Sequence, residues 1–140
     1  MNDNTIFFHS ENSFQLTNES NIKKWIKECI IEEGFLSGEI NVIFCDDEYL
    51  LQQNINYLNH NTFTDIITFN YNKENLISGD LFISTDRVIE NAKKFNVTFD
   101  HELKRVIIHG ILHLLSYNDK TDEEQVKMRE RENYYLTKTS

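Results

Sequence analysis

Two histidines, His109 and His113, stand four residues apart in the stretch His-Gly-Ile-Leu-His-Leu-Leu-Ser-Tyr-Asn-Asp. At 3.6 residues per turn this spacing places both imidazoles on one side of a helix, where they can bind the same metal ion. A helix that ends near Ser116 and turns back can return Asp119 toward them as a third ligand. Three protein ligands leave a position for water, which is typical of a catalytic zinc site, whereas a structural zinc normally has four protein ligands.

The competing interpretation is a pair of surface or partly buried histidines without a metal, because so short a pattern has many false matches. The surrounding residues favour the metal site. Gly110 costs a helix about 1 kcal/mol relative to alanine, which predicts a close approach to the backbone beside His109. The histidines also lie at the edge of an apolar stripe, as expected for the wall of a cleft. That stripe consists of Leu103, Val106, Ile107, Gly110, Ile111 and Leu114.

The rest of the chain predicts the elements that hold this helix in place. Strand composition and helical spacing of apolar residues alternate along the sequence, and the last third is helical. We therefore expect an α+β fold with one mixed sheet of about four strands packed with helices. The expected strands are residues 5–9, 39–45, 66–71 and 79–84, the last two joined by a turn at 72–75, and the expected earlier helices are residues 18–33, 47–58 and 85–95.

Three further expectations concern the helices. Leu51 and Ile55 are expected to line the second helix, and Asp100 to cap the histidine helix. Thr121 and Glu124 have the spacing of a capping box for the last helix. The metal site would then lie on the penultimate helix and in the loop that follows it.

Length and composition restrict the class of protein. A chain of 140 residues fits one domain, residues 1–140. It has no long apolar segment, and residues 1–4 lack the basic start of a signal peptide, so we expect a cytoplasmic protein without a membrane partner. Cys29 and Cys45 are too few for a disulfide framework and are expected in the core. The net charge of −9 argues against a protein that coats nucleic acid, and no DNA partner is expected.

With the segments at residues 64–69 and 79–84 ahead of the histidine helix, the sequence resembles the YbeY family of rRNA maturation endoribonucleases. The family signature His-Gly-x-Leu-His-Leu-x-Gly-Tyr-Asp-His is matched at six of its nine specified positions, and a downstream methionine matches at Met128. The matching positions are His109, Gly110, Leu112, His113, Leu114 and Tyr117.

The resemblance covers nearly the whole chain and implies a zincin-like fold with one Zn²⁺ per chain. It implies a single-strand-specific endoribonuclease that acts in 3′-end maturation of 16S rRNA and in ribosome quality control. The implied partners are ribosomal RNA and the small ribosomal subunit or its assembly factors. Because the chain is acidic, contacts with RNA would need a local basic set, such as Lys23, Lys24, Arg87 and Arg105.

The sequence departs from the family signature at three positions, where Asp119 replaces its third histidine, Ser116 its glycine and Asn118 its aspartate. A carboxylate is still a competent zinc ligand, although its charge makes the ion less electrophilic. Its hard oxygen shifts the preference toward manganese or magnesium, while two imidazoles still favour zinc, nickel or copper. Leu58 stands where the family commonly has an arginine. His60 and Arg105 are the candidate substitutes for that arginine.

Our leading hypothesis is a metal-dependent endoribonuclease with His109, His113 and Asp119 as ligands and Asp65 as a base or orienting group. Asp65 has an equally good interpretation as a turn cap. One alternative is a zinc peptidase or another hydrolase, but such peptidases carry a glutamate where this chain has Gly110. The second alternative is a non-catalytic ribosome-assembly factor whose metal stabilises the last loop.

Overall fold

The computed structural model describes residues 5–58 and 64–139, and strands alternate with helices through its first two thirds. The expected α+β class with one mixed sheet is confirmed. Within the described residues the elements are β1 (Ile6–Ser10), α1 (Glu19–Glu32), β2 (Leu36–Cys45), α2 (Asp47–Leu58), β3 (Ile66–Asn70), β4 (Leu76–Ser84), α3 (Thr85–Lys94), α4 (Phe99–Leu114) and α5 (Asp122–Leu136).

The four strands form a sheet in the order β1-β2-β4-β3. β1, β2 and β4 are parallel, whereas β3 pairs antiparallel with β4, from Ile66 opposite Ile83 to Asn70 opposite Gly79. β3 is therefore an edge strand. This hairpin, expected from the turn at residues 72–75, places the start of β3 next to the histidine helix α4.

One face of the sheet is covered by α1 and α4, whose apolar residues join a single core. Gly110 is the point of closest approach. A Cβ there would lie 2.6 Å from Leu81 Cδ2 and 2.7 Å from Ile66 Cδ1, as expected from a glycine inside a helix. The predicted apolar stripe of α4 is entirely buried: Leu103, Val106, Ile107, Gly110, Ile111 and Leu114. α4 therefore packs tightly against β3 and β4 at Gly110, the residue next to His109.

The other face of the sheet is covered in part by α2. The prediction that Leu51 and Ile55 form the buried side of this helix was wrong by one position. Leu50 and Asn54 are buried, whereas Ile55 is 38 % exposed and Leu51 is half-buried. Leu50 packs with Cys45 and Ile67. The spacing of four was right, but one buried position is the polar Asn54, so hydrophobicity alone selected the neighbouring stripe.

The cap expected for α4 was also wrong. Thr98 is the N-cap, with an extended backbone and a hydroxyl oxygen that accepts a hydrogen bond from the His101 backbone N–H at 3.1 Å. Asp100 lies inside the first turn, where its charge suits the helix dipole. The predicted capping box of Thr121 and Glu124 at α5 is confirmed in both directions.

Cys29 and Cys45 are free and buried, as expected of small core residues. Among the described helices we find none with the length and apolar character that a bilayer crossing requires.

Candidate metal centre

The two histidines of α4 point at each other. Their Nε2 atoms are 3.0 Å apart, and the rings are nearly perpendicular. Both side chains are about one quarter exposed, at the edge of the buried stripe. The helix therefore places both imidazoles at the border between core and solvent, as their spacing predicted.

Asp119 reaches the histidines because α4 ends at Leu114, one residue after His113. The Ser116 N–H donates to His113 O and the Tyr117 N–H to Leu112 O, both at 3.0 Å, which is a Schellman motif. Ser116 occupies its left-handed position with φ 76°. The predicted irregular turn at Ser116 is confirmed. An uninterrupted helix would instead have carried Asp119 about 9 Å along the axis from His113.

The three donor atoms fit a metal ion. Asp119 Oδ2 is 3.3 Å from His109 Nε2 and 3.4 Å from His113 Nε2. Ligand atoms about 2.0–2.1 Å from a tetrahedral zinc lie about 3.3–3.4 Å from one another. Among the described residues, His109, His113 and Asp119 are the group whose donor atoms converge in this way. All three side chains are partly exposed, by 24 %, 27 % and 38 %, so a metal ion held by them would be accessible to water.

The tautomers of the two histidines support this fit. His113 Nδ1 is 3.1 Å from the Tyr117 carbonyl oxygen, which can only accept, so the proton lies on Nδ1. His109 Nδ1 is 2.6 Å from Glu132 Oε2, a carboxylate that likewise accepts. Both Nε2 lone pairs therefore face Asp119, and three electron-pair donors need a cation or a proton between them. A carboxylate behind a ligating histidine is common in metal sites.

The electrostatics of the two imidazoles differ. Burial lowers the pKa of His109, but the hydrogen bond and charge of Glu132 outweigh it, so this pKa lies above its ordinary value. Burial, reinforced by His109, holds the pKa of His113 below its ordinary value. Glu132 thus makes His109 the more basic of the two potential ligands.

A cleft of about 330 Å³ opens beside His109 and Asp119. Asp65, at the start of β3, lines it, and burial raises the pKa of this carboxyl although His109 opposes the shift. The backbone carbonyl oxygen of Asp65 accepts a hydrogen bond from the Ser84 N–H at 2.9 Å. Asp65 therefore lies at the cleft, where a base or orienting group would be needed, and its alternative role as a turn cap stays a prediction.

Arg105 crosses the floor of this cleft between two buried glutamates. Its Nη1 donates to Glu132 Oε1 at 3.1 Å, and its Nε lies 3.4 Å from Glu102 Oε1. Burial raises the pKa of Glu102, and Arg105 opposes the shift. Of the two considered substitutes for the family arginine, Arg105 lies in the cleft. His60 lies outside the described residues.

Other residues singled out in the sequence lie elsewhere. His9 bonds Asn41 on an exposed strand end, and His101 is exposed at the start of α4. Arg87 pairs with the Asp47 carboxylate through its Nε and Nη2 atoms. Lys23 pairs with Glu19 on α1.

Sequence reasoning missed Glu132. Its signal was a glutamate on the apolar side of α5, four residues after Met128 and three before Tyr135, all three of which are buried. A charged residue at a core position of a helix requires a partner. Arg129 on the same helix lies 3.8 Å from it, but its nearer partners, His109 and Arg105, lie on α4 and could not be read from the local pattern.

Comparison with known proteins agrees with this geometry. A family model described as Endoribonuclease YbeY matches residues 6–140. The chain is 53 % identical over 127 residues to a Flavobacterium johnsoniae protein named Endoribonuclease YbeY, covering 91 % of each chain. It is 52 % identical over 127 residues to one of the same name from Christiangramia forsetii, covering 91 % of this chain and 89 % of that one.

Among solved structures, it is similar to the solution structure of a Thermotoga maritima protein. The TM-score is 0.66 at 29 % identity, and the match covers 94 % of this chain and 86 % of the other. The fold and the sequence matches extend over nearly the whole chain. The chain therefore belongs to the YbeY family.

Proposed function

We propose that this chain is a zinc-dependent endoribonuclease that cleaves single-stranded RNA in the 3′-end maturation of 16S rRNA and in ribosome quality control. The observation that carries the proposal is the convergence of His109, His113 and Asp119 beside a cleft, in a member of a family named for endoribonuclease activity. Residues 1–140 would act as one domain. The proposed setting is the cytoplasm, with the small ribosomal subunit or its assembly factors as partners.

The three ligands divide the work of holding the ion. His109 and His113 present neutral Nε2 atoms, and Asp119 adds one negative charge. When bound, zinc supplies a Lewis acid for a phosphate oxygen and lowers the pKa of a water molecule. Glu132 keeps the His109 ring in its ligating tautomer through the Nδ1 hydrogen bond.

Asp65 is the proposed general base. It lines the same cleft as His109 and Asp119, and its raised pKa makes it a stronger base than an exposed aspartate. The hydrogen bond from the Ser84 N–H to the Asp65 backbone carbonyl oxygen holds this residue at the start of β3. Asp65 would accept the proton from the attacking water, while Arg105 on the cleft floor balances part of the negative charge around it.

The position after His109 counts against peptide hydrolysis. Zinc peptidases of this spacing carry a glutamate there as general base. Here Gly110 packs against Leu81 and Ile66 without room even for a Cβ. A glutamate side chain would collide with the sheet, so this fold uses the position for packing.

A non-catalytic ribosome-assembly factor is the second candidate. It is favoured by the net charge of −9 and by Leu58 at the position of the family arginine. Both features weaken the electrostatic attraction between this chain and free RNA. Binding to a ribosomal particle would be affected less, because the particle supplies its own cations.

One experiment separates the two functions. Purified protein is incubated with a single-stranded RNA that spans the 16S rRNA 3′ end, and with the same segment in a duplex. Cleavage of the single strand that stops with chelator and returns with zinc supports the enzyme. The assembly factor is supported if the protein binds small ribosomal subunits but does not cleave the RNA, whether or not those subunits are present.

A further inference from the structure

Glu33 lies at the end of α1, far in sequence from the metal ligands, and its carboxylate accepts several hydrogen bonds. Among the described residues, three side chains donate to it. Tyr117 Oη donates to Oε1 at 2.7 Å, and Arg131 Nη2 donates to Oε2 at 2.6 Å. Tyr135 Oη also donates to Oε2. The Glu33 side chain is only 13 % exposed.

The two oxygens of this carboxylate have different tasks. Oε2 is held by Arg131 and Tyr135, both on α5, and Tyr135 is itself buried. These two hydrogen bonds therefore tie α5 to the end of α1. Oε1 is left to Tyr117, which lies in the loop between α4 and α5.

Tyr117 connects Glu33 to the metal centre. Its hydroxyl is fixed by Glu33, and its backbone carbonyl accepts the hydrogen bond from His113 Nδ1 at 3.1 Å. It also follows Ser116, whose left-handed backbone turns the chain toward Asp119. A shift of Tyr117 would therefore rotate the His113 ring and move the loop that carries Asp119.

We propose that Glu33 is a positioning residue of the metal centre, which acts through the Tyr117 hydroxyl to set the Tyr117 carbonyl and thereby the His113 imidazole. The inference rests on the metal site of the proposed function. His109 receives its orienting carboxylate directly from Glu132, whereas His113 receives one through a tyrosine and its carbonyl. Each imidazole is thus controlled by a glutamate from a different helix.

A purely structural role makes a different prediction. If Glu33 only ties α1 to α5, loss of any of its donors lowers stability and leaves the metal affinity alone. If it positions His113, only the Tyr117 branch changes the metal affinity. The two tyrosines provide a matched pair, because Tyr117→Phe and Tyr135→Phe each remove one hydroxyl from the same carboxylate.

The test measures the zinc dissociation constant by competition with a chromophoric chelator, and the visible absorption of the Co²⁺-substituted protein. Tyr117→Phe and Glu33→Gln are expected to raise the zinc dissociation constant by about 10-fold or more, the range found for outer partners of metal ligands. Both should alter the cobalt spectrum. Tyr135→Phe and Glu28→Gln, an exposed glutamate on α1, should change neither.

The combined Glu33→Gln and Tyr117→Phe variant should lose no more affinity than the stronger single variant, because both act along one path. Should Glu33→Gln fail to fold, Tyr117→Phe still decides. A Tyr117→Phe protein with the wild-type zinc constant and cobalt spectrum overturns the proposal, whatever its melting temperature. RNA cleavage is not used here, so wild-type protein without ribonuclease activity would refute the proposed function and leave this inference intact.

Discussion

Glu132 on α5 accepts a hydrogen bond from His109 Nδ1 on α4 at 2.6 Å, across 23 positions of sequence. The carboxylate is buried and shared with Arg105. Its negative charge raises the electron density of the imidazole and favours a ligating Nε2.

Glu132→Gln should therefore weaken zinc binding about 10- to 100-fold, because the substitution removes the negative charge that bonds the ligating histidine from behind. It should also lower the melting temperature, because Arg105 loses one of its two glutamates. Glu130→Gln removes the same charge from an exposed position of α5 and serves as the control. Equal zinc affinity in the two variants would remove Glu132 from the metal centre.

Asp119→Ala should lower the zinc content of the purified protein sharply, because the site would retain two ligands. Metal analysis by mass spectrometry measures it, with Asn118→Ala, an exposed neighbour, as the control. Zinc stoichiometry equal to that of the wild type would exclude Asp119 as a ligand.

Asp119→His restores the three-histidine set of the family signature. We expect slower loss of zinc to a chelator, since a neutral imidazole suits zinc well. Faster loss would mean that this loop is built for the shorter carboxylate.

Asp65→Asn should preserve zinc binding and reduce single-strand RNA cleavage by about 10²- to 10⁴-fold, the usual contribution of a positioned base. The hydrogen bond from the Ser84 N–H goes to the backbone carbonyl oxygen at position 65 and does not depend on the side chain, so the fold should persist. Asp100→Asn, exposed in the first turn of α4, is the matched control. Full activity of Asp65→Asn would assign the residue to the turn alone.

Ser116→Gly should leave zinc binding intact and stabilise the protein slightly in thermal unfolding. Ser116 has φ 76°, a region that costs a residue with a side chain roughly 1 kcal/mol or more and glycine nothing. The greater freedom of glycine in the unfolded chain offsets part of the gain. A clear fall in melting temperature would show that the serine hydroxyl contributes more than its backbone costs.

Glu33 predicts a pH dependence of stability. Burial opposes ionisation of Glu33, but Tyr135, Tyr117 and Arg131 together hold its pKa below the ordinary value. A depressed pKa in the folded state means that Glu33 stabilises the protein above the unfolded-state pKa of about 4.3. That contribution is lost as the pH falls through the lower folded-state pKa.

Urea unfolding of wild-type protein and Glu33→Gln at several pH values measures this effect. The wild type should be more stable near neutral pH, by about 1.5–3 kcal/mol for hydrogen bonds to a charged group. The difference should narrow below about pH 4. A difference that does not vary with pH would contradict an ionised Glu33. Glu28→Gln, exposed on the same helix, should show no such change.

Local sequence determined much of this protein. The strands, the five helices within the described residues, the turn at Ser116 and the capping box of Thr121 follow from periodicity and backbone preference, which act between residues close in the chain. The spacing of His109 and His113, with a turn before Asp119, was enough to predict their convergence. These features depend on 3.6 residues per turn and on one loop.

Tertiary structure decided what surrounds the ligands. The buried face of α2 includes the polar Asn54 and lies one residue from the face that was predicted. The N-cap of α4 is Thr98 and not the predicted Asp100. Glu132 on α5 bonds His109 across 23 positions, and Glu33 at the end of α1 bonds Tyr117 across 84 positions. A hydrogen bond between distant helices depends on how those helices pack, and no local pattern encodes that distance.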